Sequence, residues 1–214
     1  VRVDVRMPFL LDCVSALLPR LNETDETTVP SMAASTILSL LHAVRACEDQ
    51  SDADLGMIGP DRLVDTVRAI LHVVCAAGSL TSASMRYDLY LSVVCAVQMV
   101  LRTSAAPRMH SLLVAHADNL VHVLARDALD GSDVMQTVAL TTLSHLVAWD
   151  ATKGTASMRV GERLASAGYM KSLVLRIQEL DMPLQATLVP DPPSLNALYV
   201  YEALLTLLGR LAHS

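Results

Sequence analysis

The feature that most restricts the fold of this sequence is a segment with two adjacent apolar helical stripes. Residues 87–101 read YDLYLSVVCAVQMVL. One stripe holds Leu89, Val93, Val97 and Val100, and the other holds Tyr90, Val94 and Leu101. A helix that is apolar on two stripes must pack against neighbours on two sides. The sequence therefore predicts helices that are stacked in series.

Composition agrees with an all-α fold. Of the 214 residues, 52% are apolar but only 3% are aromatic. A core made mainly of Leu, Val, Ala, Ile and Met suits helix packing, whereas the aromatic residues favoured in strands are scarce. We therefore expect a sizeable helical core without a sheet.

Helical periodicity is clearest after Pro60, where apolar residues recur at Leu63, Val67, Ile70, Leu71 and Val74. Pro60 and Asp61 are typical of a first helical turn, and Gly78 is typical of a C-terminal cap. The same pattern predicts helices over Pro8–Leu21, Ser31–Cys47, Pro60–Ala76, Ser82–Arg102, Arg108–Ala128, Ser132–Trp149, Ser157–Ala167, Tyr169–Glu179 and Pro193–Leu211.

Breaker residues separate these segments, and Pro19 is expected to kink the first helix or end it early. The other breakers are Pro30, Gly56, Gly59, Pro107, Asp130-Gly131, Gly154, Gly168 and the Pro190–Pro193 cluster. Helix pairs about 40 to 50 residues apart are the outline of an α-solenoid of HEAT or armadillo type. A closed helical bundle is the alternative architecture.

The expected organisation is a single continuous α-solenoid segment over residues 1–214, with a weak division at the acidic linker 48–59. That linker is most simply a solvated connection, although an acidic loop that docks a partner is the alternative. The sequence begins at Val1 and stops at Ser214 while the helical pattern still runs, so we expect it to be part of a longer superhelix.

Charge gives little support to nucleic-acid binding. The net charge is −6, and the sequence has no stripe of Lys and Arg that could neutralise a row of phosphates. Basic residues are scattered singly, as at Arg20, Arg45, Arg62, Arg68, Arg102, Arg126 and Arg176. No direct contact with nucleic acid is expected.

The cysteines and the hydropathy pattern suggest a soluble intracellular protein. Cys13, Cys47, Cys75 and Cys95 lie in apolar stretches without C-x-x-C spacing, so they are predicted to be small buried thiols. The charged start VRVDVRMPF is unlike a signal peptide, and no run of 18 uncharged apolar residues predicts a transmembrane segment.

Catalytic and cofactor motifs are missing from the sequence. It contains no G-x-S-x-G or S-x-x-K nucleophile motif and no glycine-rich phosphate loop. We expect no enzymatic activity, no catalytic or cofactor-binding residues and no cofactor.

One titratable cluster, MHSLLVAHADNLVH, holds His110, His116, Asp118 and His122. The histidines are six residues apart, about 240° around a helix, whereas helical metal ligands lie three or four residues apart. No metal site is therefore predicted. His42, His72 and His145 are isolated and are interpreted as structural.

The segment from Arg126 to His213 resembles a known family. The similarity lies in DGSD before one helix, GYMKSLV at the start of another, DMPLQATL at the end of a third segment and LNALYVYEA in a fourth. These segments are similar to the giant inner-ring scaffold nucleoporins of the nuclear pore complex, toward their C-terminal part. Residues 1–125 agree with that family only in being apolar and helical.

The resemblance implies a structural constituent of the nuclear pore at the nuclear envelope, which supports transport of protein and mRNA. It implies partners among linker nucleoporins and the coiled-coil inner-ring nucleoporins, bound as short helical segments within a large multiprotein assembly. The residues that bind partners are not assigned. A soluble HEAT-type adaptor or transport receptor is the alternative function.

Overall fold

The computed structural model describes residues 6–23, 28–50, 60–76, 82–151, 158–185 and 195–213. All regular secondary structure in these ranges is helical, as predicted. The α-helices are α1 (Arg6–Leu17), α2 (Thr28–Gln50), α3 (Pro60–Cys75), α4 (Ala83–Val100), α5 (Ala106–Asp130), α6 (Asp133–Ala151), α7 (Val160–Ser166), α8 (Tyr169–Gln185) and α9 (Leu195–Ala212). A 3₁₀ turn covers Leu18–Asn22.

Most predicted boundaries lie within a few residues of the observed ones, but some prolines lie inside helices. Pro30 is buried in the first turn of α2, and Pro107 is the second residue of α5. The first turn tolerates proline because its N–H groups have no intrahelical acceptor. Pro19 behaves as predicted, since α1 ends at Leu17 and the 3₁₀ turn begins beside it.

The chain divides into two compact units, residues 1–116 and residues 117–214, and the division falls inside α5. The predicted division at the acidic linker stays a prediction. Helix α2 continues through Glu48 and Asp49, whereas residues 51–59 lie outside the described residues. Gly56, Gly59, Gly78, Gly154 and the Pro190–Pro193 cluster also lie outside them.

The first unit is built from two stacked helix pairs. Helix α1 packs on α2, and α3 packs on α4. The two pairs also contact each other, with α1 against α3 and α2 against α4. Helix α4 thus contacts α2 on one side and α3 on another, which confirms the prediction from its two apolar stripes.

Polar contacts at the edges accompany the apolar core of this unit. Arg62 Nη1 donates to the Asp12 carboxylate at 2.5 Å, and Arg45 Nη1 donates to the Gln98 side-chain oxygen at 2.7 Å. The exposed Arg62 pair contributes little to stability, because water screens it. Burial of Leu63, Val67 and Ile70 contributes more to the stability of this unit, since each side chain is fully excluded from solvent.

The second unit packs α6 against α9 and α7, and α8 against α7 and α9. Gly168 separates α7 from α8 with a φ of +79°, a left-handed conformation that glycine adopts without strain. The N-terminus of α7 is held by Asp150 at the end of α6, whose carboxylate accepts the backbone N–H groups of Met158 and Arg159. These contacts hold the start of α7 against the end of α6.

The cysteines are less uniformly buried than predicted. Cys95 is buried, but Cys13, Cys47 and Cys75 are half-buried, and none of these four cysteines forms a disulfide. Burial raises the pKa of the Cys75 thiol from 9.0 to about 11.

Within the described ranges, no helix combines the length and apolarity needed to cross a membrane.

Candidate partner-binding groove

A cleft of about 250 Å³ lies between α6 and α9 in the second unit. We call it the α6–α9 groove. It is lined by Thr137, Thr141, Ser144 and His145 from α6 and by Tyr199, Glu202, Ala203, Thr206 and Arg210 from α9.

The spacing of these residues explains why they share the groove. On α6 they recur at intervals of four, three and one residues, and on α9 at intervals of three, one, three and four. Such intervals place side chains on one face of a helix. The core face of α9 carries Val200, Leu204 and Leu207, all buried. The groove is therefore a polar flank beside the apolar contact of α9 with α6.

Arg210 ties the two walls of the groove together. Its Nη1 atom donates a hydrogen bond to the carbonyl oxygen of Ser144 at 2.7 Å. No carboxylate of the described residues forms an ion pair with Arg210, and Glu202, two turns earlier on α9, likewise has no cationic partner among them. The groove thus holds one positive and one negative side chain that do not neutralise each other directly.

Ser144 is buried, with 3% of its surface exposed, and its hydroxyl has no hydrogen-bond partner in the described part of the chain. Nearby hydroxyls are satisfied within their own helices. Thr137 donates to the Asp133 carbonyl and Thr206 to the Glu202 carbonyl, both four residues back. A buried hydroxyl without a partner loses its hydration without compensation. The Ser144 hydroxyl therefore differs from those of Thr137 and Thr206, which form hydrogen bonds.

His145 lies on the same wall and stacks on Trp149, with ring centroids 5.6 Å apart and ring planes 25° from parallel. Burial lowers the pKa of His145, and the positive charge of Arg210 lowers it further. The imidazole is consequently neutral at pH 7, so Arg210 supplies the positive charge at this end of the groove.

The opposite end of the groove is apolar and accessible. Tyr199 is 49% exposed at the start of α9. Val134 is 51% exposed and precedes Thr137 by three residues, which places it on the same face of α6. The groove therefore offers an apolar end, an acidic middle and a basic end.

A second cleft of about 290 Å³ lies among residues of α5, α7 and the start of α8. Its charged and polar groups bind one another. Arg163 forms an ion pair with Asp118 and donates through Nε to the Met158 carbonyl at 2.6 Å. The Tyr169 hydroxyl and His122 Nδ1 are 2.7 Å apart. These contacts join helices of the second unit and leave fewer groups for a ligand.

The clustered histidines of α5 have different neighbours. His110 is buried and its Nε2 atom has no partner among the described residues, whereas His116 lies edge-on to His72 at 5.6 Å and His122 contacts Tyr169. Burial, His72 and Arg68 together lower the pKa of His116. Among the described residues, no three His, Cys, Asp or Glu side chains are placed to hold a metal ion.

Sequence reasoning did not assign any partner-binding residue, yet α9 carried a usable signal. Glu202, Thr206 and Arg210 recur every four residues in a largely apolar helix, and they form one polar row. Their opposing wall on α6 had no comparable signal, because Thr137, Thr141 and Ser144 are small residues common on any helix surface.

Helix pairs that stack against one another, with a groove between neighbouring helices, define an all-α scaffold of helical-repeat type. The sequence matches the family described as "Nuclear pore complex scaffold, nucleoporins 186/192/205" over residues 1–214, and the chain belongs to this family. The match confirms the resemblance found from Arg126 onward and extends it over residues 1–125.

Two relatives bear the name Nuclear pore complex protein Nup205. The chain is 34% identical to the one from Homo sapiens over 102 residues, which cover 48% of this chain and 5% of that protein. It is 30% identical to the one from Drosophila melanogaster over 97 residues, which cover 45% of this chain and 4% of that protein. The chain thus matches only a small part of the length of these relatives, and its family belongs to the nuclear pore complex of the nuclear envelope.

Proposed function

We propose that this chain is a non-enzymatic structural segment of the inner ring of the nuclear pore, forming one continuous stack of helix pairs that binds other nucleoporins. Membership of a nuclear pore scaffold family supports this role. Support also comes from both units, each of which consists of packed neighbouring helices. Binding of linker and coiled-coil nucleoporins, and support of transport between nucleus and cytoplasm, belong to the same proposal.

The observation that carries the proposal is an apolar surface on α9, which we call the outer stripe. Leu198 and Leu205 are 39% and 48% exposed, and Tyr201 and Leu208 lie between and beyond them, half-buried. These residues recur every three or four positions, so they share a face. The opposite face of α9 is buried against α6 and α8. Clustered exposed apolar residues mark surfaces that bind protein.

Substitution of the outer stripe tests this role. Leu198→Asp with Leu205→Asp would be introduced into the protein that contains this chain, which would then be purified from nuclear envelopes. We expect inner-ring nucleoporins to accompany the unmodified protein and to be lost by at least half from the variant. Charged residues cannot be buried in an apolar contact without a large desolvation cost.

The matched control is Ser172→Asp with Gln178→Asp, which adds the same charge at exposed positions of α8. It should leave co-purification unchanged, and the circular dichroism of both variants should match that of the parent. Recovery of cytosolic transport receptors in place of nucleoporins would contradict the scaffold role and favour an adaptor.

A further inference from the structure

We propose that the α6–α9 groove binds an extended peptide segment of a partner protein that presents an apolar, a basic and an acidic side chain in that order. The apolar side chain lies against Tyr199 and Val134, the basic one at Glu202 and the acidic one at Arg210. The proposal rests on the proposed function only in assuming a protein partner.

The charges of the groove define the spacing of the ligand. Glu202 and Arg210 are eight residues apart on α9, about 12 Å along the helix axis. Several exposed charges of the chain are paired in place, as in the Arg62–Asp12 and Arg108–Asp61 pairs. Glu202 and Arg210 have no such ion pair among the described residues. A ligand with a cation and an anion about 12 Å apart would complement both.

The polar lining favours an extended segment over a helix. A helix satisfies its own backbone groups and docks through an apolar face, whereas an extended peptide exposes N–H and C=O groups that need partners. Hydroxyl groups lie on both walls of the groove. Thr137 and Thr206 donate within their own helices, so their oxygens can still accept from peptide N–H groups, and Thr141 adds a further hydroxyl. At about 3.3 Å per residue, four residues of extended chain span the distance between Glu202 and Arg210.

The basic end of the groove is built for a carboxylate. Arg210 uses Nη1 to hold the Ser144 carbonyl, which fixes its guanidinium and leaves its remaining N–H groups for a ligand. The Ser144 hydroxyl beside it is buried and has no hydrogen-bond partner among the described residues. Neutral His145 stacks on Trp149 nearby and adds no competing charge. A carboxylate at this end gains a guanidinium whose position is fixed by the Ser144 carbonyl.

The volume of the α6–α9 groove is consistent with binding of individual side chains of a peptide. The cleft of about 250 Å³ is smaller than the roughly 300–1,000 Å³ typical of small-molecule sites. It suits individual anchoring side chains of a peptide that runs along the surface.

Two fluorescein-labelled peptides test the proposal with the whole chain. One contains Leu-Ser-Lys-Ser-Thr-Ser-Asp, and the other exchanges its Lys and Asp. Both carry blocked termini and equal net charge. Fluorescence anisotropy should show that the first binds at least five-fold more tightly. The double variant Glu202→Lys with Arg210→Glu should reverse this preference, whereas Lys171→Glu on exposed α8 should keep it.

Thermal unfolding would first establish that each variant is folded, and Glu202→Lys alone, which retains the Arg210–Ser144 contact, should reduce the preference at least two-fold. Equal affinity for the two peptides, or a preference unchanged by the charge exchange, would overturn the proposal. So would sedimentation showing that a second copy of the chain occupies the groove in a dimer that Arg210→Glu dissociates. None of these results would alter the nucleoporins recovered with the outer stripe intact, so the two proposals fail separately.

Discussion

Arg210 donates a 2.7 Å hydrogen bond to the carbonyl oxygen of Ser144, which joins the last turns of α9 to the middle of α6. The contact crosses 66 residues of sequence and lies beside an otherwise apolar helix interface. It fixes a half-buried guanidinium at one end of the α6–α9 groove. Arg210 consequently has both a structural role and a place in the proposed recognition of an acidic side chain.

Arg210→Met should destabilise the chain by about 1 kcal/mol, because it removes a hydrogen bond from a charged donor at a partly exposed site while retaining the aliphatic stem. Urea unfolding followed by circular dichroism measures this change. Arg210→Lys keeps the charge and should lose less. A methionine variant as stable as the parent would show that the Ser144 contact does not contribute.

Asp150→Ala should cost about 1–2 kcal/mol, within the range measured for loss of N-terminal helix caps. The Asp150 carboxylate accepts the N–H groups of Met158 at 2.5 Å and Arg159 at 2.9 Å, directly before α7. Without it, these donors lose a charged acceptor. The control is Asp130→Ala, at an exposed position at the end of α5, which should change the unfolding free energy by no more than about 0.5 kcal/mol. Equal effects of the two substitutions would contradict the capping role.

Two glycines should respond to alanine in opposite directions. Gly168 has a φ of +79°, so Gly168→Ala is expected to destabilise by about 1 kcal/mol through backbone strain even though no atom lies within 4 Å of the added Cβ. Gly209 lies inside α9 with equally open space, and Gly209→Ala should stabilise by about 0.5–1 kcal/mol. Comparing the urea unfolding midpoints of the two alanine variants distinguishes the effect of backbone conformation from that of steric contact. The same sign for both would refute this explanation.

Stability should fall as the pH drops below about 6.5, the ordinary pKa of histidine. Burial first, and Arg210 second, lower the pKa of His145 in the folded chain. The unfolded chain therefore binds a proton on this side chain at a higher pH than the folded chain, so protonation favours unfolding. Comparing unfolding free energies at pH 7.5 and 5.5 tests this, and His145→Gln should weaken the dependence. If the His145→Gln variant kept the same pH dependence of the unfolding free energy, His145 would not be its source.

The sequence was sufficient to predict the helices, because their signals are local. Leu63, Val67, Ile70 and Val74 mark the buried face of α3 by spacing alone, and all four are buried. Pro30 was misplaced as a breaker because proline fits both before a helix and within its first turn.

Helix pairing and the groove could not be predicted from the sequence, because they depend on contacts between residues that are far apart along the chain. The stripes of α4 predicted two neighbours but could not specify α2 and α3, since any apolar helix would satisfy them. Likewise, Ser144 becomes notable only because Arg210, far along the sequence, takes its carbonyl while its hydroxyl stays without a partner among the described residues.

We propose that this chain belongs to a stationary scaffold and not to a shuttling adaptor. The most direct measurement is fluorescence recovery after photobleaching at the nuclear rim, with the fluorescent tag on the protein that contains this chain. A scaffold held through contacts such as the outer stripe should show almost no recovery over hours, and Leu198→Asp with Leu205→Asp should increase the mobile fraction. Full recovery of the unmodified protein within minutes would show that it shuttles and is not part of a stationary scaffold.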